Sequence, residues 1–273
     1  MVDDPGPLVH IDDLGLTRGD GCFDATRLVV GDDGSTRVDH LDAHLERFQR
    51  SAAALDLECD LSAWRELIAK AVAAWVVPGE AVLRVMLTRG RESAPSRPVT
   101  GLLTITPLDA HTIRARRGIR VATLDRGHAA DAFTDAPWLL GGVKTLSYAI
   151  NVAAGREAAR RGVDDALFVS SDRYVLEAPR AAFIWRRGER LATTRLEGTG
   201  ILASISQAAI FRGAAADGVA VTDDLLPVYD IPHLDGAWLA SSGRGVAPVL
   251  AVDEFVLPVD ERWTADLRRW STA

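Results

Sequence analysis

The spacing of apolar residues changes repeatedly between every second residue and a helical pattern, and this change restricts the chain to a mixed α/β fold. The alternation over 25–30 runs into Gly31-Asp-Asp-Gly34, which predicts a strand that enters a hairpin. The next elements predicted from spacing are helices over 41–55 and 60–75 and strands over 81–88 and 101–106. Together these elements are enough for one small α/β lobe.

A second set of elements follows a polar stretch that has no clear periodicity. We place a linker at about 111–117, between a small N-terminal lobe over 1–110 and a larger C-terminal lobe over 118–273. The C-terminal elements predicted from spacing are helices over 147–161 and 205–217, strands over 118–124, 166–170, 174–177 and 181–185, and strands near Val219 and Trp238. A chain of 273 residues is long enough for both lobes, because domains usually contain about 100–200 residues.

Composition argues against several classes of protein. The 38 acidic and 31 basic residues give a formal charge of -7 without a long block of like charge, so we expect no nucleic-acid partner. Two cysteines can build neither a disulfide framework nor a multi-cysteine zinc site, and the six histidines lack metal-ligand spacing, so we expect no metal. The chain starts without a signal-peptide pattern, and no apolar run reaches about 18 residues, so we expect a cytoplasmic protein with no membrane partner.

Lysine is rare in this chain, so each lysine is worth considering separately. Of the 31 basic residues only Lys70 and Lys144 are lysines. Unlike arginine, a lysine can lose its proton and attack a carbonyl to form an imine. Lys70 lies in an amphipathic helix pattern, which is typical of a solvated surface residue. Lys144 lies in Gly141-Gly-Val-Lys-Thr-Leu-Ser-Tyr148, between a glycine-bearing segment and a predicted helix, where the surrounding motifs must decide its role.

Three further segments carry polar groups that a site could use. Glu177 ends a predicted strand just before Ala178-Pro179, where a carboxylate can face a cleft and pair with a ring nitrogen. The loop over 199–206 precedes a predicted helix, and backbone amides at a helix start suit a phosphate. Ser241 and Ser242 add hydroxyls in another glycine-containing loop. Each signal is weak when taken alone.

Seven short motifs follow one another along nearly the whole chain. They are Arg18-Gly-Asp-Gly-Cys-Phe23, His44-Leu-Glu-Arg47, Thr88-Arg-Gly90, Lys144-Thr-Leu-Ser-Tyr148, Val175-Leu-Glu177, Gly200-Ile-Leu202, and Ser241-Ser242 leading to Pro248-Val249. Their order and spacing resemble those of the class IV, or fold-type IV, pyridoxal 5'-phosphate (PLP) enzymes. This family includes branched-chain aminotransferases, D-amino-acid aminotransferases and 4-amino-4-deoxychorismate lyases. The resemblance implies a two-lobe α/β fold, with the larger C-terminal lobe binding PLP, and a homodimer whose partner supplies part of each pocket.

The resemblance also implies a role for each matching residue. Lys144 would form the covalent imine link with PLP and later move protons, and Glu177 would pair with the pyridine nitrogen. Tyr148 would hydrogen-bond the phenolate oxygen of the cofactor ring. The groups implied to hold the phosphate are the Arg47 guanidinium, the amides of Ile201 and Leu202, and the hydroxyl of Ser242, and the neighbouring Ser241 is a further candidate.

Two reactions remain open for such an enzyme. In the first, the enzyme is a lyase that converts 4-amino-4-deoxychorismate into p-aminobenzoate and pyruvate, in folate synthesis, with aromatisation as the driving force. In the second, it is an aminotransferase acting on D-amino acids or branched-chain amino acids. The string Gly19-Asp-Gly-Cys-Phe23 and the approach Leu139-Leu-Gly-Gly-Val-Lys144 resemble the lyases, whereas Thr145-Leu-Ser-Tyr148 resembles the aminotransferases. We place the lyase first and the aminotransferase second.

Substrate recognition requires cations for the carboxylates of either substrate class. Arg91 and Arg97 lie in the loop between the predicted strands over 81–88 and 101–106, and Arg180 closely follows Glu177. The same resemblance makes Phe23 a substrate-pocket residue, where D-amino-acid aminotransferases tend to carry tyrosine. Phenylalanine cannot donate a hydrogen bond to a carboxylate, which favours the lyase.

Overall fold

The computed structural model of this chain describes residues 8–94, 96 and 99–272. The described residues form two compact units. The first contains the chain up to Leu108 together with Val143–Tyr148, and the second contains Asp109–Gly142 and the chain from Ala149 onward. Each unit is built from both helices and strands, as the apolar spacing predicts.

The first unit is a four-stranded antiparallel sheet with helices. Its strands are β1 (Gly21–Val30), β2 (Thr36–Val38), β3 (Gly79–Thr88) and β4 (Thr100–Pro107), in the spatial order β2-β1-β3-β4. Its helices are α1 (Leu14–Thr17), α2 (Leu41–Ala53) and α3 (Leu61–Ala74). In β1 the side chains alternate between more buried and less buried positions from Phe23 onward, as the period of a strand requires.

Helices α2 and α3 contribute the apolar core of this sheet. Phe48 of α2 and Trp64 of α3 meet edge to face with their ring centroids 5.2 Å apart, and both are buried beside Leu83 of β3. The start of α3 is fixed by Asp60, whose carboxylate accepts hydrogen bonds from the amides of Ser62 and Ala63. The core therefore holds α2 and α3 against β3.

The second unit is a mixed eight-stranded sheet flanked by helices. Its strands are β5 (Ile119–Asp125), β6 (Asp165–Val169), β7 (Ala182–Arg187), β8 (Arg190–Thr194), β9 (Ala220–Asp224), β10 (Gly236–Ser241), β11 (Gly245–Val252) and β12 (Phe255–Val256). Their order is β6-β5-β11-β10-β7-β8-β9, with β12 paired to β11. The helices are α4 (Ala110–Arg114), α5 (Ala149–Arg160), α6 (Ile205–Ala216) and α7 (Glu261–Trp270), with 3-10 turns at Ala115–Arg117, Pro137–Leu139 and Val228–His233.

Helices pack against this sheet through buried apolar residues. Ala154 and Ala158 of α5 lie against Ala166 and Phe168 of β6. Small residues on α5 let the helix approach the strand closely, which explains its alanine-rich composition. Elsewhere Trp238 of β10 is fully buried within a cluster shared by α6 and α7, and its indole nitrogen donates to Thr264 Oγ1 at 2.9 Å.

The structure departs from the sequence predictions in several places, and strands β8 and β11 are among the elements that were not predicted. The predicted linker at 111–117 is helical and belongs to the second unit, whereas the segment that contains Lys144 belongs to the first. The predicted strand over 174–177 forms isolated bridges instead of a strand, although its backbone bonds to Phe168. Helix α7 (Glu261–Trp270) was not predicted, although its buried residues Trp263, Leu267 and Trp270 follow helical spacing.

Candidate functional site

The segment around Lys144 pairs with the start of β1, and this pairing holds the lysine backbone at both ends. The amide of Phe23 donates to the Lys144 carbonyl at 3.0 Å, and the amide of Leu146 donates to the Gly21 carbonyl at 2.8 Å. The Lys144 amide donates to the hydroxyl of Ser51, on α2, at 3.2 Å. Lys144 therefore sits on a short added edge of the first sheet, with its backbone clamped between a strand and a helix.

The amine of Lys144 lies beside two aromatic rings. Its Nζ is 4.6 Å from the centroid of the Phe23 ring and 5.7 Å from that of Tyr148. The two rings meet edge to face with centroids 5.3 Å apart. The structure thus brings together three residues that the sequence predicted for the site, and it gives the amine a partly apolar surrounding with cation–π contact.

Arg47 is buried on α2 and bonded to a carboxylate that sequence reasoning did not place in the site. Its Nε and Nη2 donate to the two carboxylate oxygens of Asp24, each at 2.8 Å. His44, one helical turn earlier on α2, contacts the same carboxylate through Nδ1 at 2.7 Å. These bonds and the Arg47 guanidinium hold the pKa of Asp24 well below its usual range, despite a burial that acts in the opposite direction.

Burial has the larger effect on the histidine of this cluster. It lowers the pKa of His44 below its ordinary value, and the Asp24 carboxylate only partly opposes that shift. His44 is therefore neutral at pH 7, and its Nδ1–H donates to the ionised carboxylate. The cluster holds one full positive charge on Arg47 and one negative charge on Asp24, so it is neutral as a set.

In the second unit, Glu177 lies at the wall of a cavity. The cavity has a volume of about 290 Å³, and its lining includes Leu176, Glu177, Thr194, Leu202 and Gln207. Glu177 Oε2 accepts a hydrogen bond from the Leu202 amide at 3.3 Å. The amide of Leu202, which the sequence predicts for the phosphate, thus contacts the carboxylate predicted for the ring nitrogen.

The loop before α6 in the second unit is shaped by a glycine and ends at a capping serine. Gly200 has a φ of +69°, and a Cβ there would meet the Phe133 ring at 2.4 Å, so the chain can make this bend only with glycine. Ser204 caps α6 by accepting from the Gln207 amide at 3.2 Å. The predicted phosphate ligand Ile201 lies between these two residues and is buried.

Ser242 joins this region through a second serine. Its hydroxyl lies 3.3 Å from that of Ser206 in the first turn of α6. The loop that carries Ser242 is held in turn by Arg116, whose Nε donates to the Arg244 carbonyl at 2.6 Å. Ser241 ends β10 and pairs with Gly245 across the hairpin, so its backbone is committed to the sheet. The structure therefore groups Ser242 with the start of α6.

The three arginines predicted to bind substrate have different surroundings. Arg91 Nε bonds to both carboxylate oxygens of Asp12, at 3.0 and 3.2 Å, so its charge is offset inside the first unit. Hydrogen bonds from Ser93 and Arg91 hold the pKa of the Asp12 carboxyl well below its usual range. Arg180 is exposed on the tight turn between Ala178 and Ala181. Arg97 lies outside the described residues.

Each unit, taken by itself, offers groups that suit a part of PLP. The first offers an amine beside aromatic faces and a buried guanidinium, which fit an aldehyde and a phosphate. The second offers the anchored carboxylate of Glu177, which fits a pyridinium nitrogen, and a glycine-shaped bend at a helix start. The described residues contain no group of three histidine, cysteine or acidic side chains arranged to hold a metal ion. None of the helices in the described ranges has the length and apolar character needed to cross a membrane.

Three residues of these surroundings were missed by sequence reasoning. Asp24, Ser51 and Ser206 are all buried polar residues whose partners are distant in sequence or belong to another motif. The sequence did contain a signal for Asp24. It lies at a position of β1 whose side chain points toward the core, and a carboxylate buried there requires a compensating partner. No comparable signal existed for the two serines, since serine is common in helices without such a role.

This chain is similar in sequence to proteins of one known family. Residues 21–252 match the amino-transferase class IV family. The chain is 40% identical to a bifunctional aminodeoxychorismate lyase / D-amino acid transaminase of Mycobacterium tuberculosis, over 93% of this chain and 89% of the relative.

Solved structures agree with the fold. A fold IV-transaminase of Curtobacterium pusillum superposes with a TM-score of 0.90 at 40% identity, covering 99% of this chain and 90% of that one. The PLP-bound form of a hypothetical aminotransferase from Mycobacterium tuberculosis gives a TM-score of 0.92 at 37% identity, covering 99% and 95%. These matches confirm the predicted fold class and the resemblance drawn from the motifs. The chain belongs to the amino-transferase class IV family, whose members are fold-type IV enzymes that depend on PLP.

Proposed function

We propose that this enzyme is a 4-amino-4-deoxychorismate lyase that forms p-aminobenzoate and pyruvate, and that D-amino-acid transamination is its second activity. The observation that carries the proposal is the aromatic wall beside the Lys144 amine, made by Phe23 and Tyr148. A cyclic substrate that becomes aromatic can stack on such a wall. Phe23 brings no hydroxyl to bind an α-carboxylate, in contrast to the tyrosine that D-amino-acid aminotransferases tend to carry there.

Lys144 is the residue that moves protons in this proposal. Bound PLP supplies an aldehyde that bonds to amines and a ring that withdraws electrons from the bonded substrate. In the lyase reaction, Lys144 Nζ takes the proton from the substrate ring carbon as the bond to the enolpyruvyl oxygen breaks. The departing enolate then receives a proton and leaves as pyruvate, so that all atoms of the substrate are accounted for in the two products. The backbone clamp by Ser51 and Phe23 keeps the amine in reach during these steps.

The other residues bind and orient. Glu177 would hold the proton of the cofactor ring nitrogen, and its anchor on the Leu202 amide fixes the carboxylate for that task. Arg47, the Ile201 amide and the Ser242 hydroxyl would bind the phosphate. Tyr148 would hydrogen-bond the phenolate oxygen, and an edge-to-face contact with Phe23 helps to orient the Tyr148 ring. We assign a substrate carboxylate to Arg180, because Asp12 already offsets the charge of Arg91.

The transaminase is kept as the second candidate for two specific reasons. The segment Thr145-Leu-Ser-Tyr148 resembles aminotransferases, and the relative from Mycobacterium tuberculosis carries both activities in its name. In that reaction Lys144 Nζ would take the proton from the substrate Cα. A branched-chain substrate is the remaining alternative. For any of these activities we also propose a homodimer, which light scattering of the purified enzyme tests directly.

The deciding experiment assays the purified, PLP-loaded enzyme with two sets of substrates. The first is enzymatically generated 4-amino-4-deoxychorismate, with p-aminobenzoate as the product followed. The second is D-alanine, L-leucine or L-glutamate as donor, with 2-oxoglutarate or pyruvate as acceptor. Lys144→Ala should abolish all turnover, whereas the matched Lys70→Ala should retain it. Release of p-aminobenzoate supports the lyase in folate synthesis, and transamination without p-aminobenzoate would overturn it.

A further inference from the structure

We propose that Asp24, together with His44, is a positioning residue that sets the orientation of the Arg47 guanidinium toward the cofactor phosphate. This inference rests on the proposed function only in taking Arg47 as a phosphate ligand. It adds two residues of the chain that determine how the phosphate is bound, and it explains why a histidine accompanies the arginine in His44-Leu-Glu-Arg47.

Asp24 is a buried carboxylate, and its burial requires partners that compensate its charge. Its side chain is 1% exposed, and it lies on β1 next to Phe23, whose side chain points to the opposite face because strand residues alternate. Phe23 thus faces the Lys144 amine while Asp24 faces α2. A carboxylate is costly to bury unless it is paired and hydrogen-bonded, and Asp24 has both kinds of compensation from α2.

The hydrogen bonds fix one edge of the guanidinium. Arg47 uses Nε and Nη2 for the two oxygens of Asp24, each at 2.8 Å, which is the side-on bidentate geometry. That edge of the guanidinium is therefore committed to Asp24, and the carboxylate fixes the plane of the group. The carboxylate therefore removes rotational freedom from a long side chain before the phosphate binds.

His44 completes this arrangement by holding the carboxylate. It lies three residues before Arg47 on α2, so both side chains reach the same point on β1. Its Nδ1–H donates to Asp24 Oδ1 at 2.7 Å, the oxygen that also accepts from Arg47 Nη2. A neutral histidine adds a hydrogen bond without a second positive charge, and the carboxylate is thereby fixed in its plane.

A second buried ion pair on β1 serves as a comparison. Arg27 bonds to Asp39 at 2.7 Å and to Glu80 at 3.0 Å, so it faces two carboxylates. Two carboxylates at one guanidinium repel an incoming anion, which makes that pair suited to a structural role. Asp39→Asn is therefore a matched control for Asp24→Asn, because each removes one buried negative charge that is paired with an arginine of the first unit.

The test measures dissociation constants of PLP and of pyridoxal, which lacks the phosphate, for the apoprotein by absorbance and fluorescence titration. Asp24→Asn should weaken PLP roughly 10- to 100-fold and change pyridoxal less than about twofold. Asp24→Glu should restore most of the PLP affinity, and Asp39→Asn should leave the ratio of the two constants unchanged. Equal weakening of both ligands by Asp24→Asn, or no weakening, would overturn the proposal.

Two further variants separate this proposal from the one on which it rests. Arg47→Ala should also weaken PLP selectively, and if it does not, the assignment of Arg47 to the phosphate fails. If Arg47→Ala is selective and Asp24→Asn is not, only the positioning role fails. Should Asp24→Asn not fold, His44→Gln replaces it: a selective loss for PLP supports the role, and an equal or absent effect on both ligands refutes it.

Discussion

Replacing Ser51 by alanine tests whether the backbone clamp on Lys144 matters for catalysis. Ser51 is 2% exposed on α2, and its hydroxyl accepts the Lys144 amide at 3.2 Å. Alanine occupies the same space and is well tolerated in a helix, so the substitution removes little besides the hydrogen-bond acceptor. The Phe23 amide still holds the Lys144 carbonyl, and the segment should therefore loosen without detaching.

The magnitude follows from the bond that is lost. An amide left without a partner costs about 1–3 kcal/mol, and the lower end applies because this bond is only partly buried. We expect Tm to fall by roughly 2–4 °C for each kcal/mol. Because a displacement of about 1 Å at a reacting group can cost a factor of about 100, kcat should fall roughly 10- to 100-fold.

The assay compares Ser51→Ala with a matched serine variant. Ser170 is fully buried in the second unit, and its hydroxyl accepts the Tyr174 amide at 2.9 Å. Ser170→Ala should lower Tm by a similar amount and leave kcat close to that of the unmodified enzyme. The reasoning is refuted if Ser51→Ala, at equal cofactor loading, keeps a kcat within twofold of the Ser170→Ala value.

Three other predictions follow from the same residues. Glu177→Gln should retain cofactor but lower kcat roughly 100-fold or more, since it removes the carboxylate assigned to the ring nitrogen; undiminished turnover would remove that role. Phe23→Tyr should shift the ratio of p-aminobenzoate release to D-alanine transamination toward transamination, and an unchanged ratio would show that this position does not set the reaction. Burial lowers the pKa of His44 in the folded state. As the pH falls, the unfolded chain therefore takes up a proton on this side chain before the folded protein does, and stability is lost below about pH 6.5. In His44→Gln the acid side of the stability curve, measured by urea unfolding, should be less steep by up to about 1.4 kcal/mol per pH unit; an identical slope would contradict this.

Local patterns predicted most of the regular elements. The helix predicted over 205–217 is observed at Ile205–Ala216, and the one predicted over 60–75 is observed at Leu61–Ala74. Both are rich in apolar residues and begin after a capping residue, Ser204 and Asp60, which are properties of the local sequence. Sheet pairing depends on residues far apart, so the sequence could not indicate that the Lys144 segment joins the first unit.

The sequence could predict only some of the residues around Lys144, again because others depend on contacts between elements that are far apart in the chain. Lys144 stood out because lysine is so rare in this chain and because motifs surround it, and the structure gives it Phe23 and Tyr148 as neighbours. The carboxylate of Asp24 and the hydroxyl of Ser51 act through partners on other elements, which no spacing within one motif reveals. Their contribution became visible only when α2 and β1 were placed side by side.

The most direct test of the account identifies the lysine that bonds to PLP. Borohydride reduction of the PLP-loaded enzyme makes that bond permanent, and peptide mass spectrometry then locates it. Since the chain has only two lysines, Lys70 and Lys144, the result has few possible forms. We predict that the added mass lies on the peptide that contains Lys144 and disappears in Lys144→Ala but not in Lys70→Ala. Label on Lys70, or on neither lysine, would contradict the account.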